Sequence, residues 1–147
     1  MAAVDFYVRG PEPPESYPMP DPDRDAAAIS EFHAHIYFNG ADARAHAFRL
    51  RERLLADFGG TAGGVRETPG GPHPEPDLLV HIPVGRFADA VPFLMLNRAG
   101  LSILVHPETG APVRDHTDNA LWLGPPLALN VNFLKAFEER QSASRDS

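Results

Sequence analysis

The stretch Phe32-His33-Ala34-His35-Ile36-Tyr37-Phe38 organises the reading of this chain. Apolar and polar residues alternate along it and aromatic side chains are frequent, the pattern of a β-strand. Successive strand side chains point to opposite faces. Phe32, Ala34, Ile36 and Phe38 therefore share one face, and His33, His35 and Tyr37 share the other. Asn39-Gly40 ends the strand. A helix is expected next, from Asp42 to Phe58, because Ala47, Leu50, Leu54 and Phe58 recur at helical spacing between charged residues. Gly59-Gly60 stops it.

Further along, Thr61 to Glu67 reads as a short edge strand, and Thr68 to Pro76 as a turn-rich loop containing Gly70-Gly71-Pro72-His73-Pro74. Asp77 to Ile82 is a second clear strand. Phe87 to Arg98 is a second helix, with Pro92 past its first turn, where a kink is expected. Leu101 to His106 is the last strong strand, and Asp115 to Gly124 reads as a loop or one short helix. The order strand, helix, strand, strand, helix, strand is the split βαβ, or ferredoxin-like, pattern. It predicts an α+β fold (βαββαβ): an antiparallel sheet with two helices on one face and the other face open. The spatial strand order expected is fourth, first, third, second.

The chain has 147 residues, 43% of them hydrophobic, which suits one domain with a modest core. That domain is expected over residues 29–140. Before it, residues 1–28 carry Pro11, Pro13, Pro14, Pro18, Pro20 and Pro22 within twelve residues and read as a loose arm. After it, residues 141–147 read as a polar, frayed tail. The net charge is -7 and no basic stripe is present, which argues against nucleic acid as a partner. There are no cysteines, so disulfides, thiolate nucleophiles and iron–sulfur clusters are excluded, and any metal must be held by His, Asp or Glu. Neither a signal peptide nor a membrane-length apolar run is evident, and a cytoplasmic protein is expected.

The other strands divide in the same way. Leu78, Val80 and Ile82 oppose Leu79 and His81; Leu101, Ile103 and Val105 oppose Ser102, Leu104 and His106. With the apolar sets under the helices, His81 and His106 flank His33 and His35 on the remaining face. A lone strand histidine is ordinarily a surface or hydrogen-bonded group. Several imidazoles on one face are a metal-ligand pattern, because neutral imidazole suits zinc, copper, iron and nickel and the ligand atoms must reach a common point. His73 and His116 lie in loops, common places for catalytic groups over a rigid sheet. His46, mid-helix among arginines, is given no role.

In order along the chain, FHAHIYF, GPHP, FLMLNRAGLSILVHPETG and DHTDNALWLGPPL resemble the DOPA 4,5-dioxygenase family over residues 30–134. The resemblance implies a ferredoxin-like fold and a non-haem iron enzyme that opens a catechol ring beside its two hydroxyls with dioxygen. The family's histidines match at His33, His35, His73, His106 and His116; His81 is less clearly part of the pattern.

On that basis Fe(II) is the expected cofactor, with another divalent metal such as zinc able to occupy its place. His33, His35 and His106 are the expected ligands, either as an all-histidine set or completed by Glu108 or Asp115. His73 and His116 are the candidate acid–base groups. Arg98 is a candidate partner for a substrate carboxylate, its plainer reading being a helix C-terminal charge. Tyr37 and His81 are further substrate-binding candidates, and Trp122 is either a stacking partner or a core residue. The alternative reading is a non-catalytic, metal- or small-ligand-binding ferredoxin-like dimer. A homodimer is expected in either case, because open sheet faces of this fold often pair.

Overall fold

The structure is a computed structural model and describes residues 24–146. Most of the proline-rich arm lies outside the described residues. The elements are β1 (Phe32–Tyr37), α1 (Ala41–Asp57), β2 (Thr61–Arg66), β3 (Asp77–Ile82), α2 (Phe87–Asn97), β4 (Ile103–Pro107), α3 (Pro112–His116), β5 (Leu121–Leu123) and α4 (Val131–Arg145). The sheet order is β2-β3-β1-β4-β5 and every pairing is antiparallel. Its first four strands have the ferredoxin-like order expected from sequence. No described helix is long and apolar enough to cross a membrane.

One sheet face and two helices make the core. Ala34, Ile36, Leu78, Val80, Ile82, Ile103 and Val105 are fully buried against Ala47, Leu50 and Leu54 of α1 and Ala90, Val91 and Leu94 of α2. Phe32 and Phe48 pack at its margin. Leu55 is 37% exposed, because the step from Leu54 turns it about 100° around the helix. Pro92 lies inside α2, which continues unbroken to Asn97.

Three features depart from the expectation. The 115–124 region holds a strand, β5, which adds to the β4 edge with Leu104 opposite Trp122. Three residues are too few to show a strand period. Helix α4 continues to Arg145, through residues read as a frayed tail; the Asn130 side chain accepts the Phe133 N–H and starts it. Most important for the site, the second sheet face is not open. The 68–76 loop, α3 and α4 lie over it, tied together by the Asn130 N–H to Pro72 carbonyl bond (2.8 Å) and the Val113 N–H to Glu138 carboxylate bond (3.0 Å). The face on which two copies were expected to pair is thus covered by the chain itself.

Candidate metal centre

Strand β1 carries His33 and His35 on the covered face, and β4 brings His106 directly opposite His33. One ring nitrogen from each of the three lies within 4.8 Å of the others. His35 and His106 are 5% and 0% exposed, so their ring atoms must be satisfied inside the protein.

The partners of these rings decide where their protons sit. His35 Nδ1 faces the Asp77 carboxylate at 2.9 Å, and His106 Nδ1 faces the Pro107 carbonyl at 3.0 Å. A carboxylate and a carbonyl only accept, so both Nδ1 atoms carry the hydrogen. Each Nε2 is then a lone pair, and the two Nε2 atoms face each other at 3.1 Å. Two converging lone pairs repel unless a cation stands between or beside them. His33 faces a carboxylate at each nitrogen, Glu31 at Nε2 (3.0 Å) and Glu108 at Nδ1 (3.3 Å), so the tautomer with its hydrogen on Nε2 is the one that leaves Nδ1 as a lone pair for metal. Metal-binding imidazoles are oriented by such partners on their second nitrogen. The donor set therefore fits a divalent transition metal.

Burial also keeps the rings neutral, the form that binds metal. It drives the pKa of His35 well below the ordinary value, with the charges of His116 and His33 adding to the effect. The same desolvation, helped by His116 and His35, lowers His106 to about 2.

A cavity of about 430 Å³ opens beside this cluster, with His33, His35, His73 and His116 in its lining. The two loop histidines arrive from different directions. His73 is held by paired backbone bonds with Gly70 across a turn in which Gly71 adopts φ +57°. Its ring centroid is 4.3 Å from that of His35. His116 ends α3, and its ring centroid lies 3.9 Å from that of His106. The far wall is Phe133, Leu134 and Phe137 of α4.

Against known proteins, the model of the Dopa 4,5-dioxygenase family matches residues 32–133, well over half of the chain. The chain belongs to the Dopa 4,5-dioxygenase family. It is 40% identical over 111 residues to the DOPA 4,5-dioxygenase of Amanita muscaria, a match covering 70% of this chain and 49% of that protein. The chain thus spans about half the length of that relative. It is 31% identical over 134 residues to an uncharacterized 21.2 kDa protein of Botryotinia fuckeliana, covering 81% of this chain and 71% of that one. The crystal structure of a candidate dioxygenase from Nostoc punctiforme superposes with a TM-score of 0.75 at 48% identity, covering 78% of this chain and 99% of that chain.

Within this Dopa 4,5-dioxygenase family chain, the five histidines matched to the family gather in one place, whereas other sequence candidates do not. Arg98 lies at the C-terminal end of α2, on the opposite side of the sheet; its Nη1 donates to the Leu101 carbonyl (3.2 Å) and it does not line the cavity. Tyr37 is 1% exposed beneath Trp122, with ring centroids 5.9 Å apart, and its hydroxyl is used by His73 Nδ1 at 2.6 Å. It is bonded to a histidine and does not line the cavity. His81 shares the face but bonds to Glu31 (3.1 Å) outside the cavity. Asp115 is buried and holds Thr109 and Asn119, so it is not available to a metal. Glu108 is the carboxylate that reaches the site, and burial raises its pKa.

Sequence reasoning missed Asp77, Glu31 and Arg66. Asp77 is an acidic residue opening an apolar strand, Asp77-Leu78-Leu79-Val80, and that oddity was the available signal. Glu31 shares the parity of His33 and His35 along the chain. Arg66, at the end of β2, carried no distinguishing signal.

Proposed function

We propose that the protein is a non-haem Fe(II) extradiol dioxygenase that opens a catechol ring beside its two hydroxyls. The observation that carries this reading is the facing pair of unprotonated Nε2 atoms of His35 and His106, with His33 beside them. Fe(II) held by these three imidazoles would supply the redox chemistry that lets dioxygen react with a bound catecholate. A closed structural site fills its positions with protein side chains, whereas here His33 and His35 also line a cavity able to admit substrate, as a catalytic site requires.

The remaining residues divide the proton work. His116 donates Nδ1–H to the Pro112 carbonyl (2.7 Å), so its Nε2 is a lone pair able to take a catechol hydroxyl proton. His73 has the opposite assignment. Burial raises the Tyr37 phenol pKa, so the phenol keeps its proton and donates it to His73 Nδ1. Nε2 of His73 then carries the hydrogen and donates a hydrogen bond to negative charge developing on a substrate oxygen, while His116, once protonated by the catechol, is the acid. Desolvation lowers His73 to about 3 and also depresses His116, so both rings begin the cycle neutral. Phe133, Leu134 and Phe137 give the cavity an apolar wall on which the substrate ring would pack.

The Amanita muscaria relative is named for DOPA, which makes a substituted catechol the substrate class to test first. A soluble, cytoplasmic protein accords with this role, and a homodimer would have to use a surface other than the covered sheet face. The test is anaerobic loading with Fe(II), followed by air and a panel of catechols. The reading expects oxygen uptake and a yellow product whose mass equals substrate plus two oxygen atoms. Iron bound with no uptake on any catechol would overturn it.

A further inference from the structure

The cavity holds a feature that ring opening does not use. Arg66 is the only Lys or Arg lining it among the described residues. We propose that Arg66 forms a subsite for an anionic substituent, and that the preferred substrate is a catechol bearing a carboxylate with no ammonium beside it. This rests on the catechol reading above.

The Arg66 side chain is exposed at the end of β2 and makes one hydrogen bond, Nη1 to the Gly70 carbonyl at 2.9 Å. No carboxylate forms an ion pair with it among the described residues: Asp77, opposite it in the β2–β3 register, is buried and turned to His35. The Nε and Nη2 edge is left free, and two parallel N–H groups are the geometry that grips a carboxylate. The 70–73 turn makes room for it. A Cβ on Gly71 would stand 2.7 Å from Arg66 Nη1 and 3.5 Å from the Phe133 ring, so guanidinium and phenyl group occupy the space a side chain would take. One cavity thus joins imidazoles for hydroxyls, phenyl rings for an aromatic ring, and one guanidinium for an anion.

The selection against an ammonium comes from what is absent beside Arg66. The lining's single carboxylate is Glu108, whose oxygen lies 3.3 Å from His33 Nδ1, at the imidazole cluster and not at the guanidinium. An amino-acid side chain would bring its ammonium to Arg66 with nothing to receive it, and like charges there oppose binding.

The test is anaerobic calorimetry of the Fe(II)-loaded protein with four probes: 3,4-dihydroxyphenylpropionate, DOPA, dopamine and 4-methylcatechol. The carboxylate probe should bind roughly tenfold or more tighter than 4-methylcatechol, the scale of one charge-assisted contact, with DOPA weaker than the carboxylate probe and dopamine weakest. In Arg66→Gln the ratio of carboxylate probe to 4-methylcatechol should collapse to about one, and in Arg66→Lys it should fall part of the way. Equal affinities in the native protein, a ratio that survives Arg66→Gln, or DOPA matching the carboxylate probe would each overturn the subsite. Those results leave ring opening standing if 4-methylcatechol is still cleaved. Failure of all four probes to bind would sink the subsite and the catechol reading together.

Discussion

The Asp77 carboxylate meets His35 Nδ1 at 2.9 Å with both side chains buried, and this contact sets which nitrogen of His35 faces its neighbours. Asp77 begins β3 and pairs with Tyr37 in the register, so its side chain comes from the adjacent strand. Burial raises its pKa, and its second oxygen, Oδ1, has no hydrogen-bond partner. A buried, half-satisfied carboxylate is costly, and it persists here beside a ring that it orients.

Asp77→Asn is therefore expected to weaken divalent metal binding by roughly tenfold or more, because outer partners of metal-bound imidazoles contribute at that scale. The amide keeps the shape and loses the charge. Competition of Zn(II) or Fe(II) against a coloured chelator measures it. Unchanged affinity would show that Asp77 does not orient a ligand.

Alanine variants of His35 and His116 should fail in different ways. His35→Ala removes one of three clustered imidazoles and should lose metal and activity together. His116→Ala should retain metal and catechol binding while turnover falls roughly a hundredfold or more, the scale for losing a proton-transfer group. Metal content and single-turnover rates on both proteins separate the roles. Metal loss from His116→Ala would make it a ligand, and full activity in His35→Ala would remove β1 from the site.

Tyr37→Phe isolates the His73 hydrogen-bond donor. The substitution deletes only the hydroxyl that His73 Nδ1 uses at 2.6 Å, in a ring packed beneath Trp122. Freed from that donor, His73 can take either tautomer. Turnover should fall by roughly tenfold to a hundredfold with metal content intact, the scale of weakening one hydrogen-bond donor to a developing negative oxygen. A wild-type rate would mean that the pair does not set the proton on Nε2.

Stability of the metal-free protein should fall on mild acidification. The His73 pKa is depressed to about 3 by burial, whereas an unfolded histidine titrates near 6.5. Between those values the unfolded chain binds the proton and the folded one does not, so stability is complete above 6.5 and declines as pH falls toward 3. At pH 5 this one ring accounts for about 2 kcal/mol. Urea unfolding at pH 7.5 and pH 5 measures the loss, which should shrink by about that amount in His73→Gln. Equal losses in both proteins would show that His73 is not held neutral by the fold.

Much of the site was legible along the chain because strand alternation is local. A strand has a period of two, so placing His33, His35 and Tyr37 on one face needed no tertiary information. The sheet order of the ferredoxin-like pattern then brought His106 opposite His33, as the register has it. The apolar strand sets and the Leu50 and Leu54 stripe of α1 likewise found the core. Tyr37 was placed on the right face, but its burial beneath Trp122 and its bond to His73 were not legible, because what packs over a strand face arrives from distant parts of the chain.

What the sequence by itself determined is the strand faces, the four-strand core and the histidines that share a side. The tertiary structure alone decided that α4 covers those histidines, that Arg66 and not Arg98 lines the cavity beside them, and which ring nitrogens carry protons. The reason is physical. A helix shows its own apolar stripe in sequence but not the surface it will bury, and α2 carries Arg98 to the far side of the sheet. A proton on imidazole is fixed by acceptors that arrive from elsewhere in the chain: Asp77 for His35, 42 residues away, and for His73 the donor Tyr37, 36 residues away.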